Sequence, residues 1–234
     1  MRVIPWLLCC ITSLLRTVNA NVEKTIFVAP SPVTIPDVHP GLDGLRLDTL
    51  SPSQKTVLET QLPVKFPIDT APRGVESWYI LQGLGEGRRY EVRICWPATQ
   101  PTDFWLETYP ITEVFDTPDL ISSLAAYSEQ RQELGLESTR YLRENLAPNS
   151  QSLLFLRIQA AASFYTTNRT LMEHPPAVDA DIILDPYLLN ILPRSLGPTA
   201  IYISAVAVGA WFLSGAIYRW LVQLAQEAPK PHAD

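Results

Sequence analysis

Hydrophobic positions follow two regimes along this chain. From Thr25 to Leu184 they come in short runs broken by proline and glycine, whereas from Gly197 to Tyr218 they fuse into one stretch without charge. In the first regime the clearest run is Arg88 to Trp96, where Tyr90, Val92, Ile94 and Trp96 alternate with Arg89, Glu91, Arg93 and Cys95. Period-two alternation marks a strand with one buried face. Thr25–Ala29, Thr56–Phe66, Glu76–Leu81, Phe104–Tyr109, Ser152–Tyr165 and Ala180–Leu184 read as further strands. Pro63 pushes the second of these toward an edge or bulge position. The prolines and glycines from Ser31 to Pro52 predict an irregular connection, and Gly83-Leu84-Gly85-Glu86-Gly87 predicts a hairpin turn. Leu120–Leu146, rich in Ala, Glu, Gln and Arg, is compatible with a helix or a solvated insertion. Short strands separated by turn residues predict a mostly β chain with an antiparallel β-sandwich-like domain.

The second regime predicts one membrane-spanning helix. Gly197–Tyr218 lies between Arg194 and Arg219, and at about 1.5 Å per residue it covers roughly 33 Å, against about 30 Å of hydrocarbon. Tyr202 toward one end, with Tyr218 and Trp220 toward the other, suits aromatic anchoring at both interfaces. Met1-Arg2, the apolar Val3–Leu15 and Val18-Asn19-Ala20 have the layout of a secretory signal cleaved after Ala20. Cleavage places residues 21–197 in the lumen as a β-rich domain, 198–220 in the membrane and 221–234 in the cytosol. A GPI-attachment signal is disfavoured, since a polar extension follows the apolar stretch. Asp185–Arg194 approaches the membrane and is expected to be an interfacial turn or short helix, with Tyr187, Leu188, Leu189 and Ile191 near the lipid surface.

Composition narrows the function. A formal net charge of −6 without any Lys/Arg cluster argues against nucleic-acid binding. Of three cysteines, Cys9 and Cys10 leave with the signal, so Cys95 has no internal disulfide partner. Cell-surface domains usually carry disulfides, so residence in the endoplasmic reticulum membrane fits better. Asn168-Arg169-Thr170 is an N-glycosylation sequon, usable on the lumenal side. The three histidines have no metal-ligand spacing, and no CxxC, HExxH or GxSxG motif occurs, so no catalytic, metal or cofactor residues are assigned. Asp179 and Asp181 have a spacing that can hold a divalent ion and a sugar nucleotide, but the surrounding Gly-rich nucleotide site is missing. The segment therefore reads as a polar strand entry. In the apolar helix Ala205/Gly209 and Ala210/Ser214 are small-xxx-small pairs that let helices approach closely. Without an ionisable residue it cannot be an ion path.

The run Tyr90–Pro101 with Phe104 and Leu106, the opening Lys24–Pro30 and the juxtamembrane Asp185–Pro193 together resemble the fungal accessory subunit of GPI mannosyltransferase II. The resemblance spans the chain but includes no catalytic signature. It implies a non-catalytic subunit of the endoplasmic reticulum complex in GPI-anchor biosynthesis. Its partner would be the multispanning catalytic mannosyltransferase, and its role would be to support addition of the second mannose to the GPI precursor. Tyr90, Trp96, Phe104, Tyr187, Leu188 and the small residues Ala205, Gly209, Ala210 and Ser214 are the expected partner contacts. Rival readings are a general membrane-protein cargo adaptor or folding factor, and a lumenal glycosyltransferase using Asp179 and Asp181.

Overall fold

A computed structural model describes residues 21–32, 42–133 and 152–226. The expected signal peptide, residues 134–146 of the expected helix or insertion, and everything beyond 226 lie outside the described residues. Their elements run β1 (Val22–Val28), β2 (Asp48–Leu50), β3 (Val57–Leu62), β4 (Val75–Leu84), β5 (Arg89–Cys95), β6 (Thr102–Pro110), α1 (Ile111–Asp116), α2 (Pro118–Glu133), β7 (Ser152–Ala162), α3 (Arg169–Glu173), β8 (Val178–Leu188), β9 (Leu192–Pro193) and α4 (Gly197–Gln226). The strands make two sheets. One has the order β1-β5-β8-β3 with β9 added to β8, and the other has the order β2-β4-β7-β6. Every strand pairing is antiparallel except that of β2, which runs parallel to β4.

The mostly β expectation holds, and alternation explains why. In β5, Tyr90, Val92 and Ile94 join a core cluster that also takes Leu58 and Leu62 from β3, Tyr79 and Leu81 from β4, Phe104 and Leu106 from β6, Leu154, Leu156 and Ile158 from β7, and Ile182 and Leu184 from β8. Both sheets thus feed one apolar cluster, and each fully buried Leu or Ile side chain contributes roughly 1.5–3 kcal/mol. Strand β7 lacks alternation at its start because both of its faces are covered. Leu154 and Leu156 enter that cluster, while Leu153 and Phe155 join Leu47, Trp78, Ile80, Val114, Leu120 and Leu124 in a second one beneath α1 and α2.

Four expectations need correction. The glycine-rich Gly83–Gly87 segment does not close a hairpin, because β4 and β5 lie in different sheets. A register shift between Leu81 and Leu84 and positive φ angles at Gly83 (67°) and Gly87 (70°) turn the chain from one sheet into the other. The irregular Ser31–Pro52 segment contains the short strand β2. A short helix, α1, stands where none was expected, while the helical alternative for Leu120–Leu146 holds over its described part, through Glu133. Asp185–Arg194 is neither an interfacial turn alone nor a helix: its first four residues complete β8, and β9 folds back on them.

Helix α4 is the one helix among the described residues long and apolar enough to cross a membrane, and none of its apolar window is buried by the rest of the chain. Pro198 sits in its first turn, where a missing N–H costs nothing.

Candidate membrane-proximal interface

The end of the first sheet that meets α4 concentrates the unusual features of the fold. Tyr187 pairs with Pro193 and Leu188 with Leu192, closing a tight turn in which the Ile191 N–H donates to the Leu188 carbonyl at 3.0 Å. Leu189 and Asn190 both have left-handed backbone, with φ of 52° and 59°. A turn with two left-handed central residues matches strand twist but favours Asn and Gly. Asn190 suits it and is anchored: its Oδ1 accepts from the Arg89 N–H at 2.9 Å and its Nδ2 donates to the Gly87 carbonyl at 3.1 Å. Leu189 does not suit it. A β-carbon in this region costs about 1–2 kcal/mol, and the side chain recovers nothing from packing because it is 92% exposed. Ile191 is 78% exposed beside it.

Behind the turn two carboxylates are buried as cross-strand neighbours, Glu91 at 3% and Asp185 at 6% exposure. Buried charges must be paired, and these are. Glu91 receives Lys24 Nζ at 3.2 Å, Arg93 at 3.6 Å and the Tyr187 hydroxyl at 3.4 Å. Asp185 lies 3.9 Å from Arg93 and accepts the Ser195 N–H at 3.2 Å. Arg93 also donates to Ser195 Oγ at 3.3 Å. Burial and the neighbouring Glu91 carboxylate push the Tyr187 phenol up, so it stays a neutral donor. The alternation in β5 placed Glu91 toward solvent; it is buried instead. The partners that cover it come from β1 and β8, far away in sequence. The one local signal was the opposed charge of Glu91 and Arg93 on the same strand face.

A pocket of about 390 Å³ opens at the same end, between the β4–β5 connection and the β8–β9 turn, with Gly85, Arg88, Tyr90, Tyr187, Leu188 and Arg194 in its wall. Tyr90 accepts the Gly85 N–H on its hydroxyl at 2.9 Å and stacks on Phe27 at 5.8 Å between ring centres.

The expected contact residues separate into three groups. Tyr90, Phe104 and Tyr187 are buried, and Trp96 packs edge-on against Phe104 at 4.6 Å, so these aromatics shape the surface from beneath. Leu188 is partly exposed at the end of the sheet that meets α4. Ala205, Gly209, Ala210 and Ser214 lie on α4, uncovered by any other described element. Asn168 is exposed and caps α3, its Oδ1 accepting the Thr170 N–H at 3.1 Å. It lies in the connection from the end of β7 to the start of β8, while the other end of β8 leads toward α4. Eleven residues of strand, roughly 35 Å, separate those ends. Asp179 and Asp181 are exposed on β8, where Asp179 accepts from Gln61 at 2.9 Å and from Gln100 at 3.4 Å. Cys95 is a free thiol, raised by partial burial. Among the described residues no group of three or more metal-ligating side chains converges.

Comparison with known proteins gives these features a context. The family described as GPI-mannosyltransferase II co-activator matches residues 11–214. A GPI mannosyltransferase 2 subunit of fission yeast, Schizosaccharomyces pombe, is 25% identical over 128 residues, covering 55% of this chain and 48% of that protein. The chain thus spans about half the length of the curated relative it matches. No solved structure matches the chain.

Proposed function

We infer the role of this chain from its family: it belongs to the GPI-mannosyltransferase II co-activators, matched over residues 11–214. The function is that of a non-catalytic subunit which supports addition of the second mannose to the GPI-anchor precursor in the endoplasmic reticulum membrane. The partner is the multispanning catalytic mannosyltransferase. In this reading residues 1–20 are a cleaved signal, the two sheets pack as a lumenal sandwich, and 198–220 of α4 span the bilayer ahead of a cytosolic tail. Ala205, Gly209, Ala210 and Ser214 are the face that meets a partner helix, supported by the absence of any described element covering them. Asn168 carries a glycan, supported by its exposure on the connection at the far end of β8 from α4.

The single observation that carries the reading is the family match. Its test is purification of the tagged full chain from detergent-solubilised membranes, with identification of what accompanies it. A GPI mannosyltransferase is expected, and cells lacking the chain are expected to accumulate GPI precursor with one mannose. Co-purification of diverse membrane proteins without a mannosyltransferase points to a cargo adaptor and sinks the proposal. Replacing Asp179 and Asp181 with alanine is expected to leave GPI synthesis unchanged; its loss would instead favour a glycosyltransferase.

A further inference from the structure

We propose that the pocket between the β4–β5 connection and the β8–β9 turn binds the phosphate headgroup of an anionic membrane lipid. The proposal rests on the reading that α4 spans a membrane, and it adds a ligand to the surface from which that helix leaves. Three observations carry it.

The first is charge. Arg88 and Arg194 enter the pocket wall from two separate segments. Both are exposed, and neither joins an ion pair among the described residues, in contrast to Arg93, Arg131 and Arg157. Arg89, whose guanidinium lies 5.8 Å over the Tyr187 ring, adds positive charge at the same end. Glu86, the acidic residue of the β4–β5 connection, accepts from the Ser31 hydroxyl at 2.6 Å and is not among the residues of the pocket wall. Guanidinium groups present planar forks that match phosphate oxygens two at a time.

The second is shape. The pocket has the volume of a small-molecule site. A β-carbon at Gly85 would stand 2.7 Å from Arg88 Cδ, so glycine lets the arginine stem lie against the loop. Tyr90 and Tyr187 form a rigid floor, since both are buried.

The third is position. Leu188, in the pocket wall, comes within 3.5 Å of where a β-carbon on Gly197 would stand, so the pocket lies at the first residue of α4. Leu189 and Ile191 project into solvent beside it, the former from a strained backbone. Strain of this kind marks functional segments. Two exposed apolar tips beside a membrane-crossing helix enter the lipid interface, and this sets the arginines at headgroup level, where long basic side chains keep their charge while burying their stems.

The test uses the purified full chain in neutral detergent, with three soluble probes: dihexanoyl phosphatidylinositol, dihexanoyl phosphatidylcholine and inorganic phosphate. We expect the inositol lipid to bind about tenfold or more tightly than the choline lipid, with phosphate competing only at much higher concentration. The double variant Arg88→Gln/Arg194→Gln is expected to lose that preference while its thermal unfolding stays unchanged, because neither side chain pairs internally. Arg88→Lys/Arg194→Lys is expected to keep part of it. Equal binding of the two lipids, or a double variant that binds like the parent, overturns the site. Phosphate binding as tightly as the inositol lipid overturns the lipid as ligand. Incorporation into nanodiscs is read separately: failure there removes the membrane-spanning reading of α4 without touching the short-chain measurement.

Discussion

The faces of the two sheets turned away from their shared core meet opposite fates. On the β2-β4-β7-β6 sheet the outward residues begin as Trp78, Ile80, Leu153 and Phe155, and helices α1 and α2 close over them. On the β1-β5-β8-β3 sheet the outward residues include Lys24, Ile26, Val28, Arg93, Asp179 and Asp181, and α1 and α2 pack on the other sheet instead, leaving, among the described residues, only the short 3-10 turn Arg194–Leu196 against Arg93 and Asp185. The covered face ends in a polar border, where Arg157 pairs with Glu107 and Glu76 and lies over the Tyr109 ring at 5.2 Å. The bare face hides its polarity instead, sealing Glu91 and Asp185 under side chains from neighbouring strands. One face was built to be closed by its own chain. The other is left open by the described elements, and it belongs to the sheet that leads into α4.

The comparison is broken most severely at Trp78. It is fully buried against Phe155 and Tyr109 and donates to Ser123 at 3.0 Å. Trp78→Ala should cost about 3–5 kcal/mol in chemical denaturation, whereas Ile26→Ala on the bare face should stay within about 0.5 kcal/mol. Comparable losses would mean that something covers both faces.

Removing Arg157 comes next. Arg157→Met should cost about 1–2 kcal/mol, reduced from a buried-pair value by the exposure of Glu107. A pH titration of stability sharpens the result. Partial burial alone would raise the Glu107 carboxyl, but hydrogen bonds from Arg157 and Tyr109 hold it down at about 2, against 4.5 for a free glutamate. Its contribution is therefore complete above pH 4.5 and lost as pH falls from 4.5 toward 2. The variant should lose most of this acid limb. Burial and the bond to Glu107 push the Tyr109 phenol up to about 12, so its contribution is lost only as pH rises from 10 toward 12.

On the bare sheet, Asp185→Ala should cost about 1 kcal/mol overall. Its sharper signature is local: hydrogen exchange of the Ser195 amide should quicken by about tenfold, beyond the roughly fivefold change that the global loss imposes on the β4–β7 amides. Unchanged exchange at Ser195 would sever the link between sheet and helix. The smallest effect is a gain. Leu189→Asn, which tolerates left-handed backbone, should raise stability by about 0.5–1 kcal/mol. A loss of similar size would mean that the leucine is packed.

What could be read from the sequence followed periodicity. The alternation in Arg88–Trp96 located β5, and the charge-free stretch located α4. What escaped depends on contacts distant in sequence. Gly83 and Gly87 reveal a bend, but nothing local states whether the chain returns to the same sheet or crosses to the other. Strand β2 has three residues and gains its identity only from its pairing with Tyr79–Leu81 of β4. Glu91 and Asp185 look like solvent-facing charges until Lys24, Arg93, Tyr187 and Ser195 converge on them. The sequence could single out Leu188 and the small residues of α4 as exposed candidates, whereas the arginine-walled pocket joins segments about a hundred residues apart.

The bond from Ser195 to Asp185 has a mechanical consequence. Only one residue separates Ser195 from the start of α4, and the Arg93 guanidinium grips the same serine by its hydroxyl. The helix is therefore not a leash with a free swivel. A turn of α4 about its own axis pulls on β8 and β5 through these two bonds, and a tilt of the sheets is passed back to the helix. Whatever fixes one rotational setting of the helix also sets the direction of the sheet, so the two act as a single orientational choice.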